Sequence, residues 1–273
     1  MKILFTDVSH SLRTILSNRY LLGTLIWHDF KSRYLSSYIG LPWAFVQPAV
    51  YVLVVWFAFT YGLRTGVTSS GIPFGAWLIA GLIPWLFISQ TMIVSCMAIT
   101  EYGYLIKKTK FPILLIPVIK IFSGMIVHAV MMGCIVILLI FSFNITPTIY
   151  WIQIFYYLFA MLFLLSGVAW LVSAINVFIK DMAHMVNILT TIMFWSIPII
   201  WPYTMISDSN LRFIALLNPF FYITEGYRYT FIEQRWFFEF PEMNIFFWTI
   251  SIATFVFGLY TFRRLRPGFG DEL

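Results

Sequence analysis

The stretch that decides the fold runs from Ile121 to Ile179: IFSGMIVHAV MMGCIVILLI FSFNITPTIY WIQIFYYLFA MLFLLSGVAW LVSAINVFI. It contains no Asp, Glu, Lys or Arg. A helix needs about 20 apolar residues to cross the hydrocarbon core, so this run is too long for one crossing. Asn144-Ile145-Thr146-Pro147 breaks it into a hairpin of two helices, about 113–143 and 149–178. Four further apolar runs flank the hairpin, at about 38–61, 74–100, 183–205 and 244–262. Pro198 is placed to kink the fifth of the six.

Composition agrees with lipid as the main solvent. Of 273 residues, 61% are hydrophobic, 20% aromatic and only 10% charged. A soluble domain carries about 25% charged residues. An ordinary soluble enzyme, a disordered chain and a disulfide scaffold are excluded. Cys96 and Cys134 both lie inside apolar segments, and no His/Cys cluster points to a metal. No cleavable signal is expected, because the apolar stretch Leu21–Trp27 is short and ends at His28-Asp29. The net charge of +6 does not point to nucleic acid, since the basic residues sit beside apolar runs.

Those basic residues orient the six crossings. Lys2, Arg13, Arg19, Lys31, Arg33, Lys107, Lys108, Lys110, Lys120, Lys180, Arg263, Arg264 and Arg266 fall on one side. Arg64, Arg212, Arg228 and Arg235 fall on the other. The richer side is expected to be cytoplasmic, with both termini there. Asp208, Glu225, Glu233, Glu239 and Glu242 then lie outside, in segment 206–243.

Three segments do not fit a plain bundle. Residues 8–36 repeat apolar side chains at helical spacing (Val8, Leu12, Ile15, Leu16, Leu22, Ile26, Phe30) with basic residues between them. They read as an amphipathic interface helix, either an anchor or a partner-docking element. The basic loop 101–110 reads as a solvated turn or a short helix with Glu101, Leu105 and Lys108 on one face. Segment 206–243 is too polar to cross, and Asn218-Pro219 interrupts its apolar part. It reads as short re-entrant helices or an interfacial cap, with Glu225 and Arg228 spaced to pair.

Catalytic chemistry is not apparent. Gly66 and Gly71 have the outer spacing of a phosphate loop, but Ile72-Pro73 stands where Lys-Ser/Thr is required. Ionisable groups are nearly absent from the span interiors; Lys120 is expected to snorkel and His128 to be hydrogen-bonded in the core. Uphill transport would therefore draw energy from another subunit. The aromatic residues are the remaining signal. Tyr38, Trp43, Tyr51, Trp56 and Phe59 populate the first span, and Trp195 and Trp201 the fifth. Aromatic faces bind the C–H faces of sugars, so these seven are candidates to line a glycan path; packing and lipid contact are the alternatives.

Four stretches together resemble the membrane subunit of ABC-2 type polysaccharide exporters, the permeases for O-antigen, capsule and teichoic acid. They are His28-Asp29-Phe30-Lys31-Ser32-Arg33-Tyr34 continuing to Gly40 and Trp43, Leu105–Pro112, Ile175–Asp181, and Pro198–Pro202 with Leu217-Asn218-Pro219 and Tyr227-Arg228. His28 and Lys180 stand where that family usually has Arg. The resemblance implies an all-α integral membrane fold. It would divide into a cytoplasmic segment 1–36, a transmembrane domain 37–265 and a tail 266–273.

The resemblance further implies a homodimer bound to two cytoplasmic ABC ATPase subunits, which hold the ATP and Mg; this chain needs no cofactor. Glu101, Tyr104, Lys107 and Lys108 would form the coupling helix that docks on the ATPase. Trp27, Asp29, Arg33 and Tyr34 would lie on the interface helix. Asn218, Glu225 and Arg228 would hold the re-entrant segment by the exit path, and the cargo would be a lipid-linked polysaccharide. Two alternatives stay open: an ABC-2 permease for a small hydrophobic molecule, and a transferase acting on lipid-linked sugars through Asp208, Glu225 and Glu233.

Overall fold

The break at Asn144 is visible as geometry. A computed structural model describes residues 19–33, 38, 40–62, 66, 71–108, 111–205, 208 and 218–273. Asn144 takes a positive φ of 54°, a turn conformation that asparagine tolerates. Helices α6 (Leu115–Phe141) and α7 (Ile154–Phe178, entered through a 3₁₀ turn Ile149–Gln153) flank it. The remaining helices are α1 (Arg19–Ser32), α2 (Trp43–Phe57), α3 (Phe74–Cys96), α4 (Ala98–Glu101), α5 (Gly103–Lys108), α8 (Met182–Ser196), α9 (Pro219–Arg228), α10 (Pro241–Leu265) and α11 (Phe269–Glu272). The described residues form an all-helical protein.

Four segments are long and apolar enough to cross a bilayer: Phe74–Cys96, Leu115–Phe141, Ile149–Phe178 and Pro241–Glu272. The two other expected crossings are shorter helices of 15 residues each, α2 and α8. α2 continues as a π-helical turn, Ala58–Gly62. α8 departs from the expectation. Pro198 does not kink the helix within 183–205; the helix stops at Ser196, and Ile197 is extended with ψ 136°. The ring of a proline disfavours helical backbone at the residue before it.

α3 is the central helix, with 18 of its 23 residues buried. α6, α7 and α9 pack around it, and α10 runs along α7. In lipid, helix association rests on close packing rather than on water expulsion. The α7–α10 pair illustrates this at Gly167 and Gly258. A Cβ on Gly258 would lie 2.1 Å from the Gly167 carbonyl oxygen, and one on Gly167 would lie 2.6 Å from Phe255 Cα. Glycine at both positions lets the two backbones touch. Phe163 and Phe255 stack alongside, with centroids 4.4 Å apart.

Candidate functional site

Two clusters of charge sit at opposite ends of α3. At the Lys120 end, α1 lays Asp29 into the bundle, so its buried face carries a carboxylate beside Leu22 and Phe30. Arg33, one turn later, donates to Asp29 Oδ2 through Nε at 3.1 Å and Nη2 at 2.6 Å. Ser123 Oγ donates to the same oxygen at 2.5 Å and accepts from Arg33 Nη2 at 2.8 Å. Lys120 donates to Asp29 Oδ1 at 2.5 Å and also to Glu101 Oε2. The Tyr102 hydroxyl adds a bond to Asp29 Oδ1 at 3.3 Å.

One buried ammonium thus ties α1 to the segment that starts at Glu101. This corrects the expectation that Lys120 snorkels: only 4% of it is exposed. Two carboxylates make burial tolerable, where an unpaired ion would not be. Burial pushes the Asp29 carboxyl up, but Arg33, Lys120 and Ser123 outweigh it and hold it below the ordinary 3.8. Burial and the neighbouring Asp29 push the Tyr102 phenol well above its ordinary value, so it stays a donor.

The 101–108 segment is not one helix. α4 ends at Glu101 and α5 begins at Gly103, so Glu101 does not share a face with Leu105. The break turns Glu101 towards Lys120. The segment's base, Ala98 and Ile99, is buried against Ile116, Trp170, Phe262 and Phe269. Tyr104 and Lys107 are exposed. The side chain of Lys108 and all of Tyr34 lie outside the described residues. Trp27 is 51% exposed, with Lys31 over its ring at 5.7 Å.

At the other end, Asn218 caps α9 by accepting from Phe220 N–H at 2.9 Å, and Pro219 occupies the first helical position. Every residue of α9 from Phe220 to Arg228 is buried. Arg228 donates from Nη1 to Glu225 Oε2 at 2.8 Å and to the Pro198 carbonyl at 2.9 Å. It also donates from Nη2 to the Ile199 carbonyl at 2.6 Å and from Nε to the Trp77 carbonyl at 3.3 Å. The guanidinium lies 3.5 Å from the Trp77 ring centroid. The early stop of α8 explains the geometry: outside a helix, the 198 and 199 carbonyls need donors. Gly81 makes room, since a Cβ there would fall 2.4 Å from Arg228 Nη2.

The seven aromatic candidates divide. Trp56, Phe59 and Trp201 pack against the apolar core, and Phe59 stacks on Phe74. Tyr38, Trp43, Tyr51 and Trp195 are exposed. His128 bonds Tyr227 OH at 2.8 Å through Nε2. Glu225 is paired with Arg228. Among the described residues no group of His, Cys, Asp or Glu is placed to hold a metal.

The ABC-2 type transporter family model matches residues 20–232, a range that includes both charge clusters. The chain belongs to this family. It is 27% identical over 224 residues to the O-antigen export system permease protein RfbA of Myxococcus xanthus, covering 82% of this chain and 84% of that one. It is 26% identical over 257 residues to a protein of the same name from Klebsiella pneumoniae, covering 93% and 95%. Membership marks the chain as a multi-pass transporter component rather than a catalytic enzyme. Charge and spacing point to Arg33, Glu101, Glu225 and Arg228, and the family resemblance points to Asp29; they read Lys120 only as an orientation-setting lysine and do not point to Ser123 or Tyr102. The one available signal was a lysine followed three residues later by a hydroxyl inside an apolar run.

Proposed function

We propose that the chain is the permease subunit of an ATP-driven exporter of a polysaccharide. One observation carries the reading: the likeness to RfbA export permeases extends over 93% of the chain. The working unit is a homodimer in the cytoplasmic membrane, bound to two ATPase subunits that carry ATP and Mg. Each copy crosses six times, with α2 and α8 as the short crossings. Both termini and the Lys120 cluster face the cytoplasm, and α9 re-enters from the outer side. The cargo is a lipid-linked glycan such as O-antigen, capsule or teichoic acid, and the exposed aromatics Trp43, Tyr51 and Trp195 line its path.

The ionic cluster supports the coupling route. A push on Tyr104 and Lys107, exposed side chains of α5, reaches Glu101 through the adjoining turn. Lys120 relays it to Asp29 on the interface helix and to α6. The test is co-purification with the partner ABC ATPase subunit, together with glycan export in cells lacking the native permease. Tyr104→Ala combined with Lys107→Glu is expected to abolish both while the chain accumulates normally. Normal ATPase binding and export by that variant would overturn the docking assignment. Export of hydrophobic drugs without glycan would move the cargo to the small-molecule alternative.

A further inference from the structure

Residues 266–273 fold back onto the bundle. Pro267 and Gly268 end α10 in a 3₁₀ turn, Arg266–Gly268, and α11 follows. Phe269 and Leu273 are four apart and share one face. Gly270, Asp271 and Glu272 between them are exposed. Phe269 is fully buried, edge-on to Phe262 of α10 with centroids 5.5 Å apart, and 6.1 Å from the ring of Phe178 on α7. Leu273 lands on the first residue of α5. A Cβ on Gly103 would lie 3.5 Å from Leu273 Cδ2 and 3.7 Å from its Cβ, which is ordinary van der Waals contact. Tyr102, Ile106 and Leu273 pack against one apolar cluster that contains Ala98, Ile99, Phe262 and Phe269.

The segment around α5 is therefore held from two sides. Glu101, just before it, is tied to Lys120 and through it to α1 and α6. Leu273 ties Gly103 to α11 and so to α10, the helix that meets α7 backbone to backbone at Gly258 and Gly167. We propose that Leu273 and Phe269 form a second force-bearing route, which carries a displacement of α5 into the α7–α10 pair in parallel with the ionic route through Lys120. The proposal rests on the reading of α5 as the surface on which the ATPase pushes. Close-packed apolar contacts have low compressibility and transmit strain, so this route needs no charge. It also divides the work: Lys120 moves α1 and α6, and Leu273 moves α10 and α7. Both are positioning residues that act through α5 rather than on nucleotide or cargo.

The test first reads the full chain in detergent, following hydrogen exchange of the 103–108 amides by mass spectrometry. Leu273→Glu should speed that exchange about fivefold or more. Leu273→Met, which keeps the apolar volume, should leave it unchanged. In a Cys134→Ala background, Gly103→Cys with Leu273→Cys should join on oxidation, because 3.7 Å suits the Cβ separation of a disulfide. Oxidation should return the exchange to the wild-type rate. The second reading is in cells lacking the native permease. There Leu273→Glu should accumulate normally and still co-purify with the ATPase, yet lose about fivefold or more in glycan export. Leu273→Met should export normally. Unchanged exchange in Leu273→Glu would overturn the contact. Faster exchange with normal export would overturn the route. Should Tyr104→Ala with Lys107→Glu keep the ATPase bound, the docking reading fails instead, and the route falls with it.

Discussion

The two ends of α3 solve the same problem, a cation inside an apolar bundle, in different ways. Arg228 takes its carboxylate from its own helix three residues away and its other partners from backbone carbonyls. None of its surface is exposed. Lys120 takes both partners from other elements, Asp29 on α1 and Glu101 at the end of α4. The Glu101 side chain remains 49% exposed and Arg33 22%. Backbone acceptors cannot move without unfolding the segment that carries them, so the Arg228 end is a fixed pin. Side-chain partners on separate helices can be drawn apart and rejoined, so the Lys120 end is a joint.

Breaking the pin should have the largest effect. Arg228→Leu leaves Glu225 buried without a partner and the Pro198 and Ile199 carbonyls unpaired, and is expected to cost about 3–5 kcal/mol. In practice the variant should be recovered at a small fraction of the wild-type level from detergent extracts. If Arg228→Leu melts within a degree of wild type, the rigid half of the contrast is wrong.

Lys120→Met should cost less, about 1.5–3 kcal/mol, because Arg33 and Ser123 still serve Asp29. Its signature is rescue: the double variant Lys120→Met with Glu101→Gln should regain thermal stability and still lack ATP-driven export. Recovery of export in the double variant would remove Lys120 from the coupling route.

The α7–α10 contact rests on backbone approach alone, with no buried charge. Gly258→Ala drives a methyl group into the Gly167 carbonyl, and is expected to cost about 1–3 kcal/mol. Thermal unfolding in detergent would read it.

A fourth, smaller effect separates the two ends by pH. Asp29 has a folded-state pKa below its ordinary value of 3.8. Its stabilising contribution is therefore complete above about pH 3.8 and is lost as the pH falls through the lower folded value. Acid titration of the melting temperature should show this loss in wild type and not in Asp29→Asn. Least of all, Tyr104→Ala should leave stability within about 0.5 kcal/mol, since the side chain is 73% exposed. Its effect is expected on ATPase co-purification and, through it, on export.

Much of this protein was legible from residue order. Charge-free runs bounded by Asn144, Pro147 and Asn218-Pro219 placed the helices, because lipid demands about 20 apolar residues and prolines interrupt regular backbone. The Arg228–Glu225 pair was readable too, because helical spacing alone puts residues three apart on one face. Only the tertiary structure could decide that Lys120 joins Asp29 and Glu101, that α8 stops at Ser196 so its following carbonyls can receive Arg228, and that Trp56, Phe59 and Trp201 pack inward. Periodicity states which face a side chain occupies on its own helix. What meets that face is settled by how distant helices cross, and Asp29 and Lys120 are 91 positions apart in the chain.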